Sequence, residues 1–132
     1  MQAKAILCVD DEEIVLTSLK EQIEDYFGDQ FMYEIAESAE EAWEVIDELY
    51  EDEVEVLVIV SDWLMPGIKG DEFLIAVHQK FPQIIKVILT GQADDNAIER
   101  AKREANLYRC LRKPWQIEEL IETIRSGLEK YE

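Results

Sequence analysis

Short apolar runs rich in β-branched residues alternate with longer amphipathic segments along the whole chain. The apolar runs fit strands at 5–9, 32–36, 56–61, 85–90 and 107–111, and apolar residues recur at helical spacing in the segments that follow them. Strands that are apolar on both faces and alternate strictly with helices are typical of a parallel sheet covered on both sides. The pattern therefore predicts an α/β fold of five strands and five helices in three layers.

Helix boundaries can be predicted from local signals. Helices are expected at about 13–27, 39–50, 71–80, 94–104 and 117–131. Ser38 and Glu41 form a capping box at the start of the second helix, and Pro82 helps to end the third. The last helix carries an apolar stripe at i, i+3, i+4 and i+7 spacing, formed by Ile117, Leu120, Ile121, Ile124, Leu128 and Tyr131.

The length and composition indicate one domain. A chain of 132 residues that is 48% apolar can bury a single core, so residues 1–132 are expected to form one domain without an output domain. The chain has no apolar run of membrane-spanning length, and acidic residues come too early for a signal peptide. Cys8 and Cys110 lie in apolar segments outside any C-x-x-C motif, which is typical of buried free thiols. We therefore expect a soluble, cytoplasmic protein.

Acidic charge is concentrated in the first half of the chain. The net charge is -18, and residues 1–68 hold 20 acidic residues against two basic ones, whereas 69–132 hold 11 of each. This charge repels nucleic acid and anionic membranes, so direct binding to either is not expected. Five basic residues in the later half could face an acidic partner, a second copy of the chain or solvent: Arg100, Lys102, Arg103, Arg109 and Arg112.

Polar side chains mark the ends of four predicted strands. Asp10 and Asp11 follow the first strand, Asp62 the third, Thr90 ends the fourth and Lys113 follows the fifth. In doubly wound sheets, ligands bind beyond the carboxyl ends of the strands. These side chains are therefore the candidates for a functional site.

Three carboxylates at one sheet edge would repel one another unless a cation neutralised them. Oxygen ligands suit Mg²⁺, which is bound by one or two carboxylates together with phosphate oxygens. Asp62 would then act as a nucleophile toward phosphorus and form an acyl phosphate. Lys113 and Thr90 would contact the phosphoryl oxygens.

Each of these signals alone has an ordinary structural explanation. An Asp-Asp pair commonly caps a helix, Lys-Pro marks a strand-to-helix corner, and a threonine at a strand end is a β former. Their joint order on successive strand ends favours a phosphoryl-transfer site.

With these residues, the whole chain resembles a response-regulator receiver domain of two-component signalling, the CheY-like family. The acidic pair lies in VDDE, the phosphoacceptor in SDWLMPGIKG, the switch threonine in LTG and the lysine in RKPW. The resemblance implies a flavodoxin-like (βα)5 sandwich whose parallel sheet has the strand order 2-1-3-4-5.

The resemblance also implies the ligands and partners of the site. Asp11 and Asp62 would hold Mg²⁺ directly, Asp10 largely through water, and the backbone carbonyl of Leu64 would complete the protein ligands. The phosphoryl group would come from a histidine kinase, a phosphotransfer protein or a small donor such as acetyl phosphate. Phosphorylation would alter the face formed by the fourth helix, fifth strand and fifth helix, for partner binding or homodimerisation. The domain would catalyse its own phosphorylation and dephosphorylation without being an enzyme for other substrates.

One position departs from the family pattern. Receiver domains usually carry Tyr or Phe three residues before the lysine, as a rotor that responds to the threonine, and here that residue is Cys110. Tyr108 lies two residues earlier and is expected on the same strand face, where it is the candidate substitute. Leu64 and Gln92 occupy positions that tune dephosphorylation in the family.

Two other functions remain open. An aspartyl phosphatase would usually carry a second Asp two residues after the nucleophile, but that residue is Leu64. A degenerate receiver that binds partners without phosphate is suggested by Cys110, although the complete acidic set argues against it. The sequence also leaves open whether this receiver stands alone or is part of a longer protein.

Overall fold

A five-stranded parallel sheet forms the centre of the molecule in the computed structural model, which describes residues 3–91 and 95–130. The strands are β1 (Ala3–Val9), β2 (Met32–Ala36), β3 (Val54–Asp62), β4 (Ile85–Thr90) and β5 (Arg109–Arg112). Their order is β2-β1-β3-β4-β5, and every neighbouring pair is parallel. The predicted strand order is confirmed.

Helices follow the strands in sequence. They are α1 (Glu13–Phe27), α2 (Ala39–Glu51), α3 (Gly70–Lys80), α4 (Asp95–Glu104) and α5 (Ile117–Lys130), with one short 3₁₀ turn at Gly28–Gln30. The Ser38 hydroxyl accepts a hydrogen bond from the Glu41 N–H at 3.1 Å, so the Ser38 half of the predicted capping box is formed. Asp94 and Tyr131, which the sequence assigns to the fourth and fifth helices, lie outside the described residues.

The sheet separates two layers of buried side chains. One layer packs β-strand residues such as Ile59 against α2, α3 and α4, and the other packs Val58 and Val60 against α1 and α5. Successive strand residues alternate between the layers because side chains in a strand point to opposite faces. The predicted three-layer flavodoxin-like sandwich is confirmed.

The fifth strand begins later than predicted. Asn106 has a left-handed backbone (φ 52°), the Leu107 N–H donates to the Ala101 carbonyl at the end of α4, and β5 starts at Arg109. The predicted strand over 107–111 begins two residues too early, because a tight turn occupies those residues, and it ends one residue before β5 does. Apolar character alone does not distinguish a buried turn from a strand.

The two cysteines lie on opposite faces of the sheet. Cys8 packs in the α1/α5 layer and Cys110 against the α2–α4 layer, and both thiols are free. Burial raises the pKa of Cys8 to about 12, so this thiol stays protonated at neutral pH.

Within 3–91 and 95–130, none of the helices has the length and apolar character that a membrane span requires.

Replacing the α2 cap provides a test of the local fold. We expect Ser38→Ala to lower the free energy of unfolding by about 1 kcal/mol, because the Glu41 N–H loses its acceptor. Urea denaturation measures the change. Thr17→Ala, at an exposed position inside α1, is the control and should change the free energy by less than about 0.5 kcal/mol. Equal effects of the two substitutions would contradict the capping role.

Candidate functional site

The carboxyl edge of the sheet brings together the polar residues predicted from the strand ends. Asp10 directly follows β1, Asp62 ends β3, Thr90 ends β4 and Lys113 directly follows β5. Parallel pairing aligns these ends: Asp62 pairs with Leu89, next to Thr90. Strands that all run in one direction thus deliver the four side chains to a single edge.

Asp10 is held at this edge by hydrogen bonds through both its backbone and its side chain. It is completely buried, and its backbone N–H donates to the Ala36 carbonyl at the end of β2. One carboxylate oxygen accepts from the Glu12 N–H at 2.9 Å, and the other accepts from Lys113 Nζ at 2.7 Å. A buried carboxylate needs such partners because an unpaired charge in the interior is costly.

The ammonium group of Lys113 interacts with more than one acid. Its Nζ lies 3.5 Å from Asp62 Oδ1 and 3.7 Å from Glu12 Oε1, in addition to its contact with Asp10. Burial alone would lower the pKa of Lys113, but the hydrogen bond to Asp10 and the charge of Asp62 outweigh this effect and raise it. The side chain therefore stays positively charged at neutral pH.

Asp10, Asp11 and Asp62 form a compact group of carboxylates. One oxygen atom from each lies within 4.8 Å of the others, and among the described residues only Lys113 makes an ion pair with the group. The pKa of Asp62 is raised to about 6, chiefly by burial and then by the Asp10 charge, while Lys113 opposes the rise. Three acids with one ammonium leave excess negative charge at the site.

This donor set fits a divalent cation. Carboxylate oxygens are hard ligands of the kind that Mg²⁺ prefers, and the open side of the group faces a pocket where water and phosphate oxygens can complete the coordination. The pocket has a volume of about 510 Å³ and is lined by Asp11, Glu12, Asp62, Leu64, Met65, Pro66, Thr90, Gly91 and Lys113. Of the predicted site residues, Asp11, Asp62, Leu64, Thr90 and Lys113 thus line one cavity, whereas Asp10 is buried and does not line it.

The loop after Asp62 approaches the end of β3 closely. A side chain at Gly70 would place its Cβ 2.1 Å from the Asp62 carbonyl oxygen, so only glycine fits there. Gly67 has a left-handed backbone (φ 81°), which glycine adopts readily. The two glycines allow the loop to turn back over the site and to bring Leu64 to the pocket.

The prediction for Tyr108 was wrong. Tyr108 precedes β5 and packs against the α1/α5 layer, where its hydroxyl lies 2.7 Å from Ser126 Oγ, whereas Cys110 packs against the α2–α4 layer. The alternation rule failed because residue 108 lies outside the strand. Cys110 therefore has no aromatic substitute two residues before it on its own face. Gln92 lies outside the described residues.

Two acidic residues near the site were missed as sequence candidates. Glu12 lines the pocket and contacts Lys113, and its position directly after Asp11 in VDDE was the available signal. Asp71 is buried and accepts a hydrogen bond from Trp63 Nε1 at 3.0 Å. In the sequence it resembles an ordinary acid in the first turn of a helix, so no local pattern distinguishes it.

Comparisons with known proteins show the family to which the chain belongs. The model of the response regulator receiver domain matches residues 6–125, so the chain belongs to this family. The hydrogenase transcriptional regulatory protein HoxA of Cupriavidus necator is 32% identical over 124 residues, which cover 94% of this chain and 24% of that protein. The chain thus spans about a quarter of the length of HoxA, and less of the other curated relatives it matches.

Solved structures show the same fold. The signal receiver domain of an HD domain-containing protein from Pseudomonas fluorescens has a TM-score of 0.85 at 28% identity, with 99% of this chain and 90% of that chain covered. The beryllofluoride-activated NtrC4 receiver domain dimer has a TM-score of 0.82 at 28% identity, with 97% of this chain and 98% of that chain covered. This chain is therefore a receiver domain of two-component response regulators.

The crowded carboxylates predict a pH-dependent stability. In the unfolded chain Asp62 has an ordinary pKa of 3.8, and in the fold its pKa is about 6. Ionisation of Asp62 therefore destabilises the metal-free fold increasingly as the pH rises from about 4 to 6, and fully above that range. We expect Asp62→Asn to raise the free energy of unfolding by up to about 3 kcal/mol at neutral pH, and by less at about pH 5.

Urea denaturation in the presence of EDTA, at about pH 7.5 and at about pH 5, measures this dependence. Asp47→Asn, at an exposed position of α2, removes the same charge far from the site and is the matched control. If Asp62→Asn raised the free energy of unfolding equally at both pH values, or if Asp47→Asn raised it by the same amount, the proposed destabilisation by ionised Asp62 would be contradicted.

Proposed function

We propose that this receiver domain accepts a phosphoryl group on Asp62 in an Mg²⁺-dependent reaction. The observation that carries the proposal is the group of three carboxylates at the sheet edge: Asp11 and Asp62 line the pocket, and Asp10 is buried beside them. Among the described residues, Lys113 supplies the one ammonium group that pairs with them. Such a site is deficient in positive charge and rich in oxygen ligands. Membership in the receiver family supports the same function.

In the reaction, an Asp62 carboxylate oxygen attacks the phosphorus atom of the donor. An O–P bond forms at Asp62, the bond between phosphorus and the leaving group of the donor breaks, and the leaving group departs with the electron pair. With acetyl phosphate the leaving group is acetate, and with a kinase it is the imidazole of a phosphohistidine. The product is an aspartyl phosphate.

The chain's own residues position the phosphoryl group. Lys113, already 3.5 Å from Asp62, is available to pair with a phosphoryl oxygen, and Thr90 lines the same pocket. Gly91 leaves room, because among the residues that the structure describes the nearest atom to a Cβ there is Lys113 Cβ at 3.9 Å. Asp10, Asp11, Asp62 and the Leu64 carbonyl would hold Mg²⁺, which when bound neutralises the negative charge of the carboxylates and the phosphate.

An apolar rim supports a protein phosphodonor, which we propose to be a sensor histidine kinase or a phosphotransfer protein. Of the seven exposed large apolar side chains among the described residues, four belong to segments that follow the carboxyl ends of strands, namely Ile14, Leu64, Ile68 and Ile117. Ile14 is 76% exposed. Apolar side chains around a polar pocket are typical of a surface that another protein covers.

We propose that the face formed by α4, β5 and α5 transmits the signal, either by binding a partner or by forming a homodimer. On α4, Arg100 and Lys102 pair with Glu104 and Glu99, whereas Arg103 has no carboxylate within ion-pair distance among the described residues. An unpaired cation on an exposed helix favours an acidic partner. The NtrC4 receiver of similar fold is a dimer in its activated form.

A degenerate receiver that acts without phosphate is the alternative that Cys110 favours, because the rotor aromatic is missing and Tyr108 does not replace it.

We also propose a cytoplasmic location, since both cysteines are free thiols. The chain would catalyse its own phosphorylation and dephosphorylation and would not turn over other substrates.

Incubation with acetyl phosphate tests the proposal. We expect a mass gain of one phosphoryl group in the wild-type protein when Mg²⁺ is present, and no gain with EDTA, because the carboxylates then repel the phosphate. Intact-mass spectrometry is the measurement. Asp62→Asn should stay unlabelled, and Asp47→Asn, exposed on α2, should label like the wild type. Labelling that persists in Asp62→Asn would contradict the assignment of the phosphoacceptor. No labelling together with no Mg²⁺ binding would support the degenerate receiver.

A further inference from the structure

Two hydrogen bonds close the loop that follows Asp62. The Gly70 N–H donates to the Trp63 carbonyl at 2.7 Å, and Trp63 Nε1 donates to Asp71 Oδ1 at 3.0 Å. The first bond joins backbone to backbone, and the second joins two side chains that are eight residues apart. The base of the loop is therefore held by a main-chain bond between Trp63 and Gly70 and by a side-chain bond between Trp63 and the next residue, Asp71.

The side-chain bond lies in the interior. Trp63 is 8% exposed and Asp71 6% exposed, and Lys69 Nζ lies 5.0 Å from the centre of the Trp63 ring. A buried carboxylate requires hydrogen-bond donors, and Asp71 also lies in the first turn of α3, where the helix dipole favours a negative charge. Asp71 is thus a charged acceptor held in place by its helix, and the indole orients toward it.

Trp63 connects this bond to the proposed cation site. It lies between Asp62, the proposed phosphoacceptor, and Leu64, whose carbonyl is a proposed Mg²⁺ ligand. The next residue, Met65, is 4% exposed, whereas the Leu64 side chain is exposed and lines the pocket. Because both neighbours of Leu64 are fixed in the core, the orientation of the Leu64 peptide depends on how Trp63 is held.

We propose that Asp71 is a positioning residue for the cation site: its hydrogen bond to Trp63 orients the 63–65 backbone so that the Leu64 carbonyl faces the carboxylates. The inference rests on the proposed Mg²⁺-dependent function and assigns a role to a residue outside the pocket. Residues that orient the ligands of a metal generally change its affinity when they are replaced. Asp71 therefore sets the Mg²⁺ affinity without touching the ion.

The chain offers a matched control in the neighbouring residue. Glu72 lies in the same helical turn of α3 and carries the same charge, but it is exposed. Removing either acid changes the net charge and the α3 dipole interaction equally, so a difference between the two variants isolates the hydrogen bond to Trp63. Asp71→Asn provides a second comparison, because it removes the charge but keeps an oxygen that can accept from the indole.

Calorimetric titration with Mg²⁺, without any phosphodonor, tests the proposal. We expect Asp71→Ala and Trp63→Phe each to raise the Mg²⁺ dissociation constant by about tenfold. The double variant should be no weaker than either single variant, because both remove the same hydrogen bond. Asp71→Asn should recover most of the affinity, and Glu72→Ala should bind within about twofold of the wild type. Trp63→Phe keeps a buried ring, so it preserves the test if Asp71→Ala fails to fold.

Three results would overturn the inference. An unchanged dissociation constant in Asp71→Ala and Trp63→Phe, with a lower free energy of unfolding in urea, would make the bond purely structural. An equal loss of affinity in Glu72→Ala would assign the effect to long-range charge. Wild-type protein that binds no Mg²⁺ at millimolar concentration would overturn the proposed function as well, whereas wild-type binding with unaffected variants overturns the positioning role alone.

Discussion

The ion pair between Asp10 and Lys113 connects the two ends of the functional edge. Asp10 follows β1 and Lys113 follows β5, and β3 and β4 lie between those strands in the sheet. The lysine ammonium nevertheless contacts a carboxylate that is completely buried, at 2.7 Å. Removing one partner of such a pair leaves an uncompensated charge in the interior, which costs about 3–5 kcal/mol. The pair therefore fixes where the ammonium lies, directly beside Asp62.

The same pair leaves the site unbalanced. One ammonium group cannot neutralise three carboxylates, so the metal-free fold holds like charges together at the edge of the sheet. This arrangement is unfavourable for stability, and it adds to the effect of burial, which is the main cause of the raised pKa of Asp62. A bound cation would replace that repulsion with attraction and would also offset the negative charge of a phosphoryl group. The chemistry of the site thus depends on an electrostatic cost that the rest of the fold tolerates.

The sequence predicted the sheet and the main site residues because both follow from periodicity. The bounds of β2 and β4 match the prediction, and the strand ends identified Asp62 and Thr90 without any three-dimensional information. In a parallel sheet, a polar residue at the end of an apolar run must lie at the carboxyl edge. Position in the sequence therefore determines position at the site.

Features that depend on irregular backbone were not predictable. The turn at Asn106 delays β5, and it moved Tyr108 to the layer opposite Cys110. The bond between Trp63 and Asp71 depends on a loop that folds back through Gly67 and Gly70, and its two residues carry no pairing signal in the sequence. Contacts across such loops arise from φ and ψ values that the residue types permit but do not specify.

Chemical trapping of the acyl phosphate tests directly whether Asp62 is the phosphoacceptor. Borohydride reduces an aspartyl phosphate to homoserine with release of phosphate, so protein treated with acetyl phosphate and Mg²⁺ and then with borohydride carries a permanent mark at the phosphorylated residue. Peptide mass spectrometry locates the mark. We expect homoserine at position 62 and unmodified Asp10 and Asp11. Homoserine at either of those two positions, or at none of the three in protein that gains a phosphoryl group, would contradict it.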